Sequence, residues 1–156
     1  MISFQDLVDG LNEELGLDMT IDKHKAVKLI LDGTITLQLE MHNFQEAYCL
    51  ISPIEQLHQG MHREAVLKSA LKSNHTFRPK GGHFGFVEKK GFLLLFCYIP
   101  FSIASVREVL LRMISFTKQV RSWKEALASG LNGPQGAFKE PLNQRNFLYN
   151  KNFVKP

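Results

Sequence analysis

The spacing of apolar residues along the chain predicts helices and strands in alternation. Near the N-terminus, apolar residues recur every three to four positions, which is the spacing of one helix face. Ser3 is a suitable N-cap and Gly16 is a suitable residue just after a helix, so a first helix is predicted between them, through Leu15. Its apolar stripe consists of Phe4, Leu7, Val8, Leu11 and Leu15.

Three strands are predicted next. Asp32-Gly33 separates two apolar runs, Ala26–Leu31 and Thr34–Met41, which is a strong signal for a β-hairpin. In the second run, apolar and polar residues alternate, as in a strand with one solvated face. A third strand is predicted at Glu46–Ile51, and Pro53 is expected to end it because proline cannot donate to a ladder of hydrogen bonds.

A second helix, predicted over residues 61–73, precedes a second hairpin with strands at Gly82–Glu88 and Phe92–Ile99. A half-buried strand needs only every second residue to be apolar. Phe92–Ile99 nevertheless has no polar residue apart from the weakly polar Cys97 and Tyr98. Both faces of this strand are therefore expected to be covered, and an apolar patch of roughly a few hundred Å² left exposed on a monomer usually marks an interaction site.

A long third helix is predicted from a cap at Ser102 or Ser105 to Gly130, and Ser105 with Glu108 matches a capping box. Its stripe is Val106, Val109, Leu110, Met113, Phe116, Val120, Trp123 and Leu127, within which Phe116 and Trp123 are expected to anchor the helix on the sheet. The predicted domain covers residues 1–131. Residues 132–156 lack periodicity and are predicted to form an extended or partly disordered tail.

Length and composition bound the class of protein. A chain of 156 residues is expected to form one domain, and it contains no run of about 18 apolar residues that predicts a membrane span. The N-terminal residues are acidic and do not match a signal peptide. Cys49 and Cys97 lie in apolar runs without metal-ligand spacing and are interpreted as small buried hydrophobes. A reducing cytoplasm fits these features.

The net charge of +4 is unevenly distributed. All charged residues among the first 22 are acidic, whereas from Arg112 onward Glu125 and Glu140 are the only acidic residues. This asymmetry is compatible with binding to an acidic partner or a nucleic acid, but a solvated basic helix face followed by a soluble tail is the favoured interpretation.

The motifs that suggest catalysis or metal binding are incomplete. His58 and His62 have the spacing of two ligands on one helix face, but the HExxH motif is absent, so a surface pair is favoured. Lys80 with Gly81-Gly82 lacks the rest of a phosphate-binding loop, and Gly82 with Gly85 favours a close backbone approach or a bulge. No catalytic residue, cofactor or metal is therefore expected.

Several short motifs together resemble a known family. Leu11-Asn12-Glu13-Glu14-Leu15-Gly16-Leu17 is similar to the opening helix and "LGL" exit of class I type III secretion chaperones, the Tir-chaperone (CesT-like) family. The helix end at residues 65–74 resembles its "LL..LL..N" pattern. Gly81-Gly82-His83-Phe84-Gly85-Phe86 resembles its "GG..LG" strand, and Ile99-Pro100-Phe101 its "LPL" motif. Trp123 lies where the last helix of the family usually carries a "W..L" ending, and Leu127 completes it. The match covers about residues 3–129, and the chain differs in being basic where the family is usually acidic.

The resemblance implies a small α/β (α+β) domain with a twisted antiparallel sheet and three helices, paired as a dimer. It implies a protein without catalytic activity in the cytoplasm of a Gram-negative bacterium. Its partner would be a secreted effector, whose N-terminal region wraps the chaperone in extended form and stays soluble until the export ATPase receives it.

Candidate site residues follow from this resemblance. The predicted client-binding residues are Phe4, Leu7, Val8, Leu11, Phe84 and Phe86; the alternative for the helix stripe is plain core packing. The predicted dimer interface comprises Val66, Leu67, Ala70, Leu71 and Phe77, again with core packing as the alternative. The tail aromatics Phe138, Phe147 and Phe153 are expected to clamp a second subunit, to occupy the client groove, or to fray with the tail.

Two other functions remain open from the sequence. The basic third helix and tail are compatible with a nucleic-acid-binding or regulatory protein, although the usual modules for that function are not recognised. A chaperone subunit that forms a heterodimer with a related chain is the other possibility.

Overall fold

The computed structural model describes residues 1–75 and 82–134, which form three α-helices, five β-strands and one short 3₁₀ turn. The helices are α1 (Phe4–Leu15), α2 (Met61–His75) and α3 (Val106–Ala128). The strands are β1 (Ala26–Leu31), β2 (Ile35–His42), β3 (Ala47–Gln56), β4 (His83–Val87) and β5 (Phe92–Pro100). The predicted order α-β-β-β-α-β-β-α is confirmed.

Side-chain caps fix where α1 and α3 begin. The Ser3 hydroxyl accepts a hydrogen bond from the backbone N–H of Asp6, and the Ser105 hydroxyl accepts one from the backbone N–H of Glu108, each at 3.1 Å. Each bond satisfies one of the N–H groups that a first helical turn leaves without a partner. Of the two serines predicted as the cap of α3, the second therefore has this role.

The five strands form one antiparallel sheet in the order β1-β2-β3-β5-β4. Directly paired residues point to the same face of a sheet, so the register assigns each side chain to one face. The inner face carries the row Leu39, Leu50 and Cys97 across β2, β3 and β5. The outer face carries the row Gln38, Ile51, Phe96 and His83 across β2, β3, β5 and β4.

The helices cover the inner face. α3 packs on β2, β3 and β5, and α1 lies beside α3, where a Cβ at Gly10 would come within 2.4 Å of Val106 Cγ2. Any larger residue at position 10 would therefore force the Val106 side chain to move. Phe4 of α1 stacks on Tyr48 with ring centroids 5.5 Å apart, and the Tyr48 hydroxyl donates a hydrogen bond to the carbonyl of Ile2 at 2.9 Å. At the other end of the sheet, Trp123 of α3 lies in the core, as the sequence predicts.

β3 continues beyond Pro53, so the prediction that this proline ends the strand is wrong. β2 pairs with β3 only as far as Ile51, whereas β5 pairs with β3 from Ala47 to Gln56. The register also shifts between Pro53 and Glu55. Proline is tolerated at strand edges and bulges, because its missing N–H removes no ladder bond there.

Candidate functional site

The four predicted client-binding residues of α1 are core residues in this structure. Leu7, Val8 and Leu11 have no exposed surface, and Phe4 is also buried. Their side chains fill the space between α1 and the sheet, which is the core packing given above as the alternative to client binding. A bound segment cannot reach these side chains in the folded single chain. Their role in client binding stays a prediction.

Phe84 and Phe86 both project from β4 onto the inner face. The buried ring of Phe84 lies 4.3 Å from the ring of Trp123, measured between centroids. Phe86 is half-buried, and the guanidinium carbon of Arg63 lies over its ring at 4.4 Å, which is a cation–π contact. The structure thus brings the two phenylalanines against α3 and α2, and their client-binding role also stays a prediction.

The predicted dimer residues of α2 divide into buried and exposed positions. Val66 and Ala70 are buried in the core of the single chain, and Leu67 is half-buried. Leu71 is 66% exposed, so a second subunit can reach it directly. Phe77, the fifth predicted residue, lies outside the described residues.

The outer edge of β4 is partly closed by α2. The Asn74 side chain accepts a hydrogen bond from the Phe84 N–H at 2.7 Å and donates one to the Phe84 carbonyl at 2.9 Å. One amide side chain thereby takes the place of a neighbouring strand. Because both outward-facing groups of Phe84 are occupied, strand addition at this point of β4 is blocked.

The opposite edge of the sheet, at β1, is open along most of its length. The Met41 N–H donates to the Lys25 carbonyl at 3.2 Å, so alternate residues of β1 bond to β2, while Ala26, Lys28 and Ile30 direct their backbone groups outward. Asp22 occupies the groups of Ala26: its carboxylate accepts from the N–H at 3.0 Å, and its own N–H donates to the carbonyl at 2.8 Å. Within residues 1–75 and 82–134, no hydrogen bond reaches the outward groups of Lys28 and Ile30.

The Asp22 carboxylate is tuned by this turn. The hydrogen bond from the backbone N–H of Ala26, followed by that of His24, holds the pKa of Asp22 below its ordinary value of 3.8. The carboxylate accepts hydrogen bonds from the backbone N–H groups of His24 and Ala26 and thereby fixes the beginning of β1. The open segment of the edge consequently starts at Lys28.

A partly apolar, open cleft lies beside the open edge. The loop between α1 and β1 and the strand itself border a volume of about 500 Å³, and its lining combines the apolar Leu17, Met19, Leu29 and Ile30 with polar residues, among them Asp18, Asp22 and Lys28. Ile30 is 66% exposed, although it lies in a strand. Unpaired backbone groups next to apolar side chains are the two features that hold an extended peptide on a sheet edge.

The two faces of β5 differ in burial, although both carry apolar side chains. Leu93, Leu95, Cys97 and Ile99 point inward and are buried. Phe92, Leu94 and Phe96 point outward and are half-buried, and Tyr98 is exposed. Ring contacts link an outer aromatic row, His42–Tyr98–Phe96–His83, with successive centroids 6.0, 5.7 and 6.2 Å apart. In the described part of the chain, α1 and α3 lie on the other side of the sheet.

Sequence reasoning missed the open β1 edge as a candidate site. Ile30 lies two residues after Lys28 and therefore on the same face of the strand. An apolar residue on the solvated face that carries a lysine is the signal that indicates this site. The cleft could not be predicted, because Leu17 and Met19 lie in a loop without periodicity.

The chemistry of the described residues gives no support for catalysis. Burial, together with the Glu40 charge, raises the pKa of the Cys49 thiol to about 12, and burial also raises the pKa of Cys97, so neither is a reactive thiolate. Among residues 1–75 and 82–134, no cluster of three or more His, Cys, Asp or Glu side chains is placed to hold a metal. The same residues include no helix that is long and apolar enough to cross a membrane.

Comparisons with known proteins agree with this fold. The model of the Tir chaperone protein (CesT) family matches residues 6–123. A search of curated proteins finds no match. Among solved structures, a chain of the HopA1–SchA chaperone–effector complex is 26% identical with a TM-score of 0.66, over 79% of this chain and 94% of that chain.

More distant structures share the fold alone. A chain of the ExsC–ExsE complex is 17% identical with a TM-score of 0.65, over 80% of this chain and 96% of that chain. A chain of the Yersinia pestis complex between the type III secretion chaperone SycH and a fragment of YscM2 is 15% identical with a TM-score of 0.59, over 76% and 98% of the two chains.

Proposed function

The chain belongs to the Tir chaperone protein (CesT) family, and we propose that it is a type III secretion chaperone that binds the N-terminal region of a secreted effector in extended form. The single observation that carries the extended mode of binding is the open edge of β1. Its unpaired backbone groups at Lys28 and Ile30 lie beside the cleft lined by Leu17 and Met19. A similar chain occurs in a chaperone–effector complex, HopA1–SchA.

The geometry favours an extended client for a physical reason. The outward N–H and C=O groups of β1 belong to residues that are two positions apart in the strand. Only a client segment that is itself extended can place its N–H and C=O groups at the same spacing. Alternate client side chains then point toward the cleft. Each Å² of apolar surface that they bury there stabilises the complex by roughly 25 cal/mol. A disordered client loses conformational entropy on binding, so it needs both contributions.

The proposed activity is binding without chemical turnover. While the effector segment stays on the chaperone, its apolar residues cannot aggregate or fold, and the export ATPase receives the complex in the cytoplasm. We propose a homodimer in which the outer aromatic row packs on that of a second subunit, with the exposed side of α2 around Leu71 at its rim. The support for this arrangement is that the outer face of β5 carries the half-buried Phe92, Leu94 and Phe96 and the exposed Tyr98.

The strand-addition mode is tested by changing one backbone group. Ile30→Pro removes an N–H that points away from β2, so the β1–β2 hydrogen bonds remain. The variant and the wild type are co-expressed with the effector genes that neighbour this gene, and retained effector is quantified after purification by tag. Ile30→Pro is expected to lower retention about tenfold, the effect of losing roughly 1.4 kcal/mol.

Ile30→Thr is the matched control, because it keeps the N–H and a β-branched side chain. It is expected to retain more effector than Ile30→Pro. Equal retention by Ile30→Pro and wild type overturns the role of the β1 edge. If the wild type retains no secreted protein at all, the chaperone function itself is wrong.

A further inference from the structure

We propose that the exposed face of α3 is a second docking surface that binds an acidic amphipathic segment of the client. The inference rests on the proposed chaperone function and adds the chemistry of one client segment. The surface, called the α3 stripe, consists of Ile103, Arg107, Leu111, Ile114 and Lys118. It lies apart from the β1 edge and from the outer face of the sheet.

The α3 stripe is a continuous line on the helix surface. From Arg107 to Lys118 its residues are spaced by four, three and four positions, which places them above one another on one face of α3. Leu111 and Ile114 are 50% and 47% exposed, and Ile103, just before the helix, is 50% exposed. The opposite face of α3 already supplies the core contacts, through residues such as Val109, Phe116 and Val120. The fold therefore leaves about half of the surface of each of the three aliphatic side chains of the stripe uncovered.

A further exposed apolar residue lies on a turn next to the connection that leads into α3. The Phe101 N–H donates to the Glu46 carbonyl at 2.9 Å, which holds the turn between β2 and β3 beside the connection to α3. Phe44 in this turn is fully exposed, at 101% of its reference area. Single exposed apolar residues need no explanation. Two exposed aliphatic residues on one line of α3, an exposed isoleucine just before the helix and a fully exposed phenylalanine on a nearby turn concentrate apolar surface at this end of α3, as at an interaction site.

The charges of the α3 stripe select an acidic partner. Its charged members, Arg107 and Lys118, have no ion-pair partner among residues 1–75 and 82–134. Two neighbouring arginines of α3 are already engaged: Arg112 pairs with Glu108 at 2.8 Å, and Arg121 pairs with Asp32 at 2.6 Å. A surface that alternates cations and aliphatic groups is complementary to a helix or strand that alternates carboxylates and aliphatic groups.

Other occupants fit the stripe less well. The chain's own residues 135–156 carry four Lys or Arg residues against one acidic residue, so their charge opposes docking here. The α1 helix of a second copy presents an acidic face, but Leu15 is the one large apolar residue exposed on it in the described chain, which leaves Leu111 and Ile114 uncovered. Nucleic-acid phosphates make no use of the aliphatic side chains between the two cations.

Fluorescence anisotropy with two synthetic probes tests the proposal on the full chain. One labelled peptide of about 16 residues carries leucines at helical spacing and glutamates on its polar face, and the other carries lysines in place of the glutamates. The glutamate peptide is expected to bind at least tenfold more tightly at low salt. The double substitution Arg107→Glu with Lys118→Glu is expected to weaken that binding about tenfold, since each exposed charge contributes modestly.

The double substitution Lys89→Glu with Lys90→Glu is the matched control. It makes the same charge change on the exposed turn between β4 and β5 and is expected to leave the affinity unchanged. Leu111→Ser with Ile114→Ser, which changes no charge, is expected to weaken binding of the same peptide. Equal binding of both peptides, or an equal loss in the control, overturns the proposal. Stripe-dependent binding of a single-stranded RNA probe in preference to the glutamate peptide also overturns it.

Retention of the co-expressed effector separates this inference from the chaperone function. If wild type retains the effector and the Arg107→Glu, Lys118→Glu variant retains it equally at every salt concentration, the α3 stripe is not a client surface, while the chaperone function stands. If wild type retains no effector, the chaperone function fails, whatever the peptides show.

Discussion

Gly82 shows how closely β5 approaches the beginning of β4. A Cβ at this position would lie 2.6 Å from the carbonyl oxygen of Phe96 and 3.2 Å from the ring of Phe116. The first of these atoms belongs to the backbone of a paired strand, which cannot move without breaking ladder bonds. Gly82→Ala is therefore expected to lower the free energy of unfolding by about 1–3 kcal/mol, the usual cost of overpacking.

Gly85→Ala is the matched control on the same strand. Its Cβ would meet the edge of the Phe96 ring at 3.3 Å, and a side chain can shift by a few tenths of an ångström. Chemical denaturation of both variants is expected to show the loss for Gly82→Ala and a change of less than about 0.5 kcal/mol for Gly85→Ala, because alanine also restricts the unfolded chain. Equal stability of the two variants contradicts the assigned backbone contact.

The sequence predicts such residue-level features only in part. Glycines inside a strand pattern indicate a close approach at Gly82 and Gly85, but they do not say which atom approaches. The serine caps of α1 and α3 follow directly from residue type, since few side chains can accept the first N–H bonds of a helix. The role of Asn74 is invisible in the sequence, because its partner Phe84 lies on another element.

At the scale of elements, Asn74 joins α2 to β4. Its amide makes two hydrogen bonds to Phe84, and no other side chain in the described residues bonds to those two backbone groups. Asn74→Ala leaves an N–H and a carbonyl without partners at a partly buried edge, and this is expected to cost about 1–3 kcal/mol. It also opens the edge of β4 to strand pairing.

Thermal unfolding and hydrogen exchange at Phe84 measure these two effects of Asn74→Ala. The melting temperature is expected to fall, and the Phe84 amide is expected to exchange faster than in wild type. His75→Ala, one residue further along α2 and exposed, is the control and should change neither quantity. Unchanged exchange at Phe84 in Asn74→Ala shows that the edge is held by other contacts.

The sequence predicts where the strands lie better than it predicts what each element packs against. The bounds of β1 were predicted without error, since alternation and the Asp32-Gly33 turn are local signals. The path of β3 through Pro53 was missed, because it depends on where β2 stops pairing. Likewise, the stripe of α1 contains the same residue types whether it faces the core or a client, so its burial could not be predicted from the sequence.

At the scale of the whole molecule, the outer aromatic row has the composition of a subunit interface. In a two-fold symmetric dimer each residue of this face occurs twice, so one substitution removes two side chains from the interface. Burying a leucine contributes about 1.5–3 kcal/mol. Leu94→Lys is therefore expected to weaken the dimer by more than about 3 kcal/mol, which is over a hundredfold in Kd.

Size-exclusion chromatography with light scattering measures this effect directly. Wild type is expected at twice the chain mass of 17.8 kDa, and Leu94→Lys at the mass of one chain. Thr36→Lys introduces the same charge on the outer face near β1, away from the aromatic row, and is expected to remain dimeric.

Leu71→Glu, at the proposed rim on α2, is expected to weaken the dimer less than Leu94→Lys. The reverse order, with Leu71→Glu monomeric and Leu94→Lys dimeric, places the interface on α2 and rejects the outer face. A circular dichroism spectrum matching wild type excludes unfolding as the cause of dissociation.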